Sequence, residues 1–270
     1  MANRKGCKHF SVGDTCKNND GDEFKIVDYI DSKNVIIEWS CGQRDCVTSG
    51  NIRSGGISYY NRITVQGVGY LGYGRFVYGN RSLKDGQMSI PTHLHRHWRH
   101  LIERTHGDVP SRYEDATLDK SWYNLQNFLE WAVKQIGNSN RESNGRYWCV
   151  DKDILVDGNK LYSKETCIFV PNEVNVFFSK KEIGNTGYLG VNYIKPRTKG
   201  AKEGYIARCH FGGERKYLGY YDTPNLAYRA YRTAKVGAAK ELADEWDGKV
   251  DKRAIAVLRN FEERLPVDLQ

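Results

Sequence analysis

The segment DTPNLAYRAYRTAKVGAAKELADEW, Asp222 to Trp246, limits the fold more than any other stretch of this chain. Asp222 or Thr223 supplies a helix N-cap, and Pro224 suits the first helical position, where its missing N–H is not needed. A helix to about Trp246 follows, with Ala227, Ala230, Tyr231, Ala234 and Ala238 on its inward stripe. Side chains that small let a helix lie close against a sheet. The strands stand just upstream: GYLGVNYI, YIARCHF and RKYLGYY, with FGGERKY as a tight hairpin turn. A helix laid on a three-stranded sheet is therefore expected, and KVDKRAIAVLRNFEERL gives one more helix after it.

The charge of that sheet points outward. From Thr186 to Tyr217 there are seven Lys or Arg residues against Glu203 and Glu214, a net of +5, with Tyr193, Tyr205, Phe211 and Tyr217 interleaved. The 270-residue chain carries a formal +8 and a pI near 9.0. That balance favours a polyanionic partner, nucleic acid ahead of an acidic membrane surface. A three-stranded ribbon can enter a major groove, where Arg reads guanine, while lysines neutralise phosphates.

This block resembles the ethylene-response-factor type of DNA-binding domain through YLGV, YIARCHF, YLGYYDTPNLAYRAY and the alanine-rich helix. The resemblance covers about sixty residues. It implies double-stranded DNA as the partner, with Arg197, Lys202, Arg208, His210 and Arg215 as contact residues.

Upstream, the chain reads as two further parts. Residues 1–62 hold short strands at EFKIVDYI, NVIIEWS and RDCVTS, expected to form a small β-barrel-like block or sheet, which could bind a protein partner, serve as a DNA-binding accessory or simply pack against the rest. Dense glycine from Gly67 to Arg81 lets the backbone turn sharply or approach another segment closely. Helices are expected over Thr92–Arg104, with Leu94, Trp98, Leu101 and Ile102 inward, and over SWYNLQNFLEWAVKQI, with Ser121 as N-cap. Seven scattered cysteines suit reduced thiols, and the loose spacing of Cys7, Cys16, Cys41 and Cys46 does not suit zinc. No apolar run approaches the roughly 20 residues that span a bilayer, and MANRKGCKHFSVGD lacks a signal-peptide core. A cytoplasmic location without membrane contact is expected, in the host if the chain is phage-encoded.

The stretch VDKDILVDGNKLYSKETCIFVPNEVN, Val150 to Asn175, carries the chemistry. Asp151 and Asp153 bracket Lys152, and Asn175 closes the segment on a helix that Pro171 opens. Carboxylate and amide oxygens suffice for a hard divalent cation that completes its shell with water and phosphate. The whole pattern resembles the His-Asn-His (HNH) nucleases and their phage homing-endonuclease relatives. VDKDIL, GNKLYSKETCIFVP, the closing Asn, WYNLQNFLEW and the W-x-x-L-I-x-R of Trp98 to Arg104 carry the likeness, which extends over nearly the whole chain.

The resemblance implies a ββα-metal fold, Mg²⁺ or Mn²⁺, and cleavage of DNA as a nick or a double-strand cut. Asp151 and Asn175 fall where that family places metal ligands, Asp153 beside them, and Lys152 where it places its general-base histidine. A lysine serves as a base only when its pKa falls well below about 10.4. Lys152 has the second reading of holding the scissile phosphate electrostatically. Asn159, in the GNK turn, is a secondary candidate whose plainer role is a left-handed turn position. His93 and His97, four apart on the expected helix, are secondary candidates to bind metal or supply a base, beside the plainer reading of a basic, solvated or phosphate-facing helix surface.

The expected architecture is therefore α+β in parts: residues 1–62 as the small β block, 63–183 as an HNH-like nuclease domain, 184–248 as the DNA-reading sheet and helix, and 249–270 as a terminal helix. Two rival readings stand beside the endonuclease: an inactive DNA-binding protein that retains the nuclease fold, and a phage protein that binds and inhibits a host protein.

Overall fold

The computed structural model describes residues 6–77, 83, 85–108, 114–179, 186–195 and 203–266. The chain packs into two compact units. One comprises Met1–Ile63 and Tyr70–Tyr73, the other Thr64–Gly69 and Gly74–Gln270.

The first unit is an antiparallel meander of β1 (Thr15–Lys17), β2 (Glu23–Asp31), β3 (Asn34–Trp39) and β4 (Arg44–Val47), followed by α1 (Ser49–Ser54). Alternation decides the inner face. Phe24, Ile26, Val35, Ile37 and Trp39 are buried together with Ile52 of α1. The sheet stays open and forms no closed barrel, contrary to the barrel-like expectation. Its outer strands have three and four residues and do not pair with each other. The thiol expectation also fails at one pair, because Cys7 and Cys16 form a disulfide. Gly6 runs so close to Arg53 and Gly55, at the end of α1, that a side chain would not fit. That path carries Cys7 to β1.

A short hairpin of β5 (Ile63–Val65) and β6 (Gly69–Tyr70) carries the chain onward, and β7 (Phe76–Val77) pairs in parallel with β8 (Met88–Ser89). Then α2 (Thr92–His106) buries Leu94, Trp98, Leu101 and Ile102, the stripe expected from periodicity. Gly74 makes the close approach that dense glycine permits, against the side chain of Gln126. The next helical region divides. β9 (Thr117–Leu118) leads into a 3₁₀ turn at Lys120–Tyr123, capped by Asp119, and then α3 (Leu125–Ala132), capped by Asn124. Ser121 is thus not the cap. The Asn124 carboxamide accepts from the Gln126 N–H and starts a new helix there.

β10 (Cys149–Asp151) pairs antiparallel with β12 (Ile168–Val170), and α4 (Asn172–Phe178) follows at once. Between the strands, β11 (Leu161–Tyr162) lies parallel to β9. The second sheet is β13 (Val191–Ile194), β14 (Gly204–Phe211) and β15 (Glu214–Tyr221), all antiparallel. Gly212 and Gly213 make the β14–β15 turn, both at positive φ. Thr223 caps α5 (Pro224–Trp246), and α6 (Lys252–Arg259) precedes a 3₁₀ turn at Phe261–Arg264.

α5 serves two layers. Its first turns place Ala227 and Tyr228 against Val191 and Ala207 of the sheet. Its later turns place Ala238, Ala239, Leu242 and Ala243 against Ile168, Val170, Val174 and Phe177 and against Ile255 and Leu258 of α6. The fully buried positions drift from the expected stripe, so that Ala230, Tyr231 and Ala234 are half-buried and Lys235 is buried instead. A helix of this length, roughly 34 Å at 1.5 Å per residue, ties the sheet to the β10–β12–α4 hairpin and helix. No described helix is long and apolar enough to cross a membrane.

Candidate functional site

Pairing in an antiparallel ladder puts opposed residues on one face. Val150 opposes Phe169, and Asp151 opposes Ile168. Phe169 stacks on Trp131 at 5.6 Å and meets His97 edge-on at 5.5 Å. Ile168 and Val170 instead join Val174 and Phe177 of α4 in the core. Asp151 therefore lies on the α4 side of the hairpin, at the last position of β10, and α4 packs against that strand.

The Asp151 carboxylate accepts from the backbone N–H groups of Asp153 and Ile154, each at 2.9 Å. Burial, reinforced by the neighbouring Asp153 carboxylate, pushes Asp151 up to about 6, although the two N–H groups act the other way. The Lys152 side chain is 12% exposed, its Nζ 3.3 Å from Asp153 Oδ2 and 5.5 Å from the centre of the Tyr162 ring. Asn175 is half-buried on α4, its carboxamide outside the side-chain hydrogen bonds of the described residues.

Asn159 does not take the left-handed turn position, which belongs to Gly158 at φ 72°. Its side chain pins the loop instead. Nδ2 donates to the Lys152 carbonyl at 2.7 Å and to the Leu161 carbonyl at 2.8 Å, and Oδ1 accepts from the Leu161 N–H. Two residues without a sequence signal complete the surroundings. Glu142 accepts from the Asn172 N–H and so caps α4 from thirty residues upstream. Arg264 donates to the Ile154 carbonyl at 2.5 Å and faces the charges of Asp157, Asp153 and Asp151.

The helix histidines stand apart from Asp151. His93 stacks on Tyr147 at 4.2 Å, with its Nε2 buried and unbonded, and burial lowers its pKa. His97 is pushed down to about 4, chiefly by burial, and occupies the Phe169 face across the hairpin. Among the described residues, no group of three or more His, Cys, Asp or Glu is placed to hold a metal ion.

In the sheet, Arg208 opposes Tyr217 and His210 opposes Arg215. Ala207 and Cys209, which alternate with Arg208 and His210 along β14, are buried. Arg208, His210 and Arg215 thus share one face of the sheet. Their side chains make no hydrogen bond or ion pair among the described residues. Arg197 and Lys202 lie outside the described residues.

Compared with family models, curated proteins and solved structures, the chain matches none.

Proposed function

We propose that the chain is a metal-dependent DNA endonuclease of the HNH type, with β10, β12 and α4 as its ββα-metal element and the β13–β15 sheet as its reader of DNA. The state of Asp151 supports this reading most. A half-buried carboxylate pushed up to about 6, with a second carboxylate beside it and backbone N–H groups as its hydrogen-bond partners, is an unfavourable thing to desolvate. Such uncompensated groups concentrate at functional sites.

The donors fit a hard cation. Asp151 offers a carboxylate, Asp153 a second, and Asn175 an amide oxygen that makes no side-chain hydrogen bond among the described residues. So few protein ligands suit Mg²⁺ or Mn²⁺, which keep water and phosphate oxygens, and do not suit zinc. Bound there, the ion would polarise the phosphate and stabilise the leaving oxygen. Lys152 would hold the scissile phosphate by charge, since its ammonium is already paired with Asp153. Asn159 would keep the loop between the strands in shape.

The same Lys152 favours a second reading, a DNA-binding protein that keeps this arrangement without the chemistry. Nicking of supercoiled DNA in Mg²⁺, in Mn²⁺ and in chelator, with Asp151→Ala alongside, separates the two. Endonuclease activity predicts metal-dependent nicking that falls on the order of 10³-fold in the variant. Salt-sensitive binding without nicking, or nicking that survives Asp151→Ala, contradicts it.

A further inference from the structure

Arg208 and Arg215, whose side chains meet no counter-charge among the described residues, line a cavity. It has a volume of about 650 Å³, within the roughly 300–1,000 Å³ of small-ligand sites. Arg208, His210 and Arg215 form one side, the end of α4 another, and the residues after α6 close it. Lys235 and Arg264 add two cations to Arg208 and Arg215, so among the described residues four fixed positive charges and the carboxylate of Asp157 line the cavity.

Lys235 and Arg264 are each positioned by a backbone carbonyl and an aromatic ring. The Lys235 residue is 8% exposed, and its Nζ donates to the Phe177 carbonyl and lies 3.4 Å from the centre of the Phe177 ring. Arg264 donates to the Ile154 carbonyl and sits 5.3 Å from the Phe178 ring centre. Arg208 and Arg215 engage nothing through their side chains among the described residues. Beside the cations runs an apolar wall of Val176, Phe178 and Leu189, with Val176 41% exposed. Concentrated positive charge next to an apolar wall suits an anion with a flat apolar body.

We propose that this cavity binds a nucleoside phosphate, its phosphate among Arg208, Arg215 and Arg264 and its base against Val176, Phe178 and Leu189. A carboxylate ligand would leave the third arginine without an oxygen, whereas a phosphate has enough oxygens for all three. The ligand has two sources of one chemistry, a free nucleotide or a nucleotide unit of a DNA strand. The strand source rests on the DNA-endonuclease reading above. Arg264 is shared between the cavity and the loop that follows Asp151, so a strand held here would pass beside the candidate cation site.

The test uses the full chain in chelator, so that cleavage plays no part. Fluorescent 2-aminopurine deoxyriboside 5′-monophosphate is titrated in, then displaced with its unlabelled form, the nucleoside alone, inorganic phosphate, or a thymidine hexanucleotide. The expected result is saturable binding, tighter than that of either fragment, weakened about tenfold by Arg208→Ala and by Val176→Asp. Arg264→Lys serves as the milder variant should Arg264→Ala disturb the loop, and it too should weaken binding. Displacement by the hexanucleotide assigns the ligand to a strand, and its failure to displace assigns a free nucleotide. Absence of saturable binding, or binding unchanged in Arg208→Ala and Val176→Asp, overturns the inference. Nicking by a chain that fails this test leaves the endonuclease reading standing. Nucleotide binding by a chain that never nicks overturns that reading alone.

Discussion

The two principal sheets handle charge in opposite ways. In the N-terminal sheet the charges pair with one another: Lys17 with Glu23, Arg44 with Glu38, and Arg62 with Asp20 and Asp22. In the C-terminal sheet Arg208, His210 and Arg215 meet no counter-charge among the described residues. The first arrangement is satisfied within the fold. The second leaves its charge for something outside. Net charge alone does not separate these regions. Whether each charge has already found a partner does.

The largest effect that sharpens this contrast lies in the C-terminal sheet. The double variant Arg208→Ala and Arg215→Ala should weaken duplex binding about 100-fold and reduce the steepness of its salt dependence by about two phosphate contacts. Fluorescence anisotropy across a salt series measures both, and an unchanged salt slope would break the comparison. Next comes the loop. Asn159→Ala removes the donor that spans the Lys152 and Leu161 carbonyls, so urea unfolding should show a loss of about 1–2 kcal/mol. A neutral result would mean the loop holds its shape without that bridge. Smallest is the N-terminal sheet, where Arg44→Ala removes an exposed cross-strand pair and should cost under about 1 kcal/mol, with no effect on duplex binding. A large loss of binding there would erase the distinction between the two sheets.

Much of this layout was legible in the sequence, for local reasons. Thr223 with Pro224 fixes the start of α5, Gly212 with Gly213 fixes the β14–β15 turn, and the stripe Leu94, Trp98, Leu101 and Ile102 fixes the buried face of α2. Asp151, Lys152, Asn159 and Asn175 could be singled out because they sit within one short segment. What escaped depends on contacts distant in sequence or on competition between caps. Asn124 outcompetes Ser121 only because its side chain reaches the Gln126 N–H. Arg264 reaches Ile154 across 110 residues, and no spacing rule pairs them. Lys235 reads as a surface lysine until Phe177 is placed over it. The Cys7–Cys16 bridge depends on how closely Gly6 passes the end of α1. The histidines of α2 were legible as a cluster, but only the strand register puts His97 across the hairpin from Asp151.

The central claim is that Asp151 is held half-buried at a cost because it serves a cation. Its folded-state pKa, about 6, lies above the ordinary 3.8. Its ionised form therefore lowers stability above pH 6, and that loss disappears as the pH falls through 6 toward 4. The most direct measurement is the unfolding free energy of the parent and of Asp151→Asn, at pH 7 and at pH 4, in chelator and in Mn²⁺. The variant keeps an oxygen for the two backbone N–H groups. At pH 7 in chelator it should be the more stable by about 1–3 kcal/mol, with the gap closing at pH 4. Mn²⁺ at pH 7 should stabilise the parent and leave the variant unmoved. A variant no more stable than the parent in chelator, with both responding equally to Mn²⁺, would contradict the account.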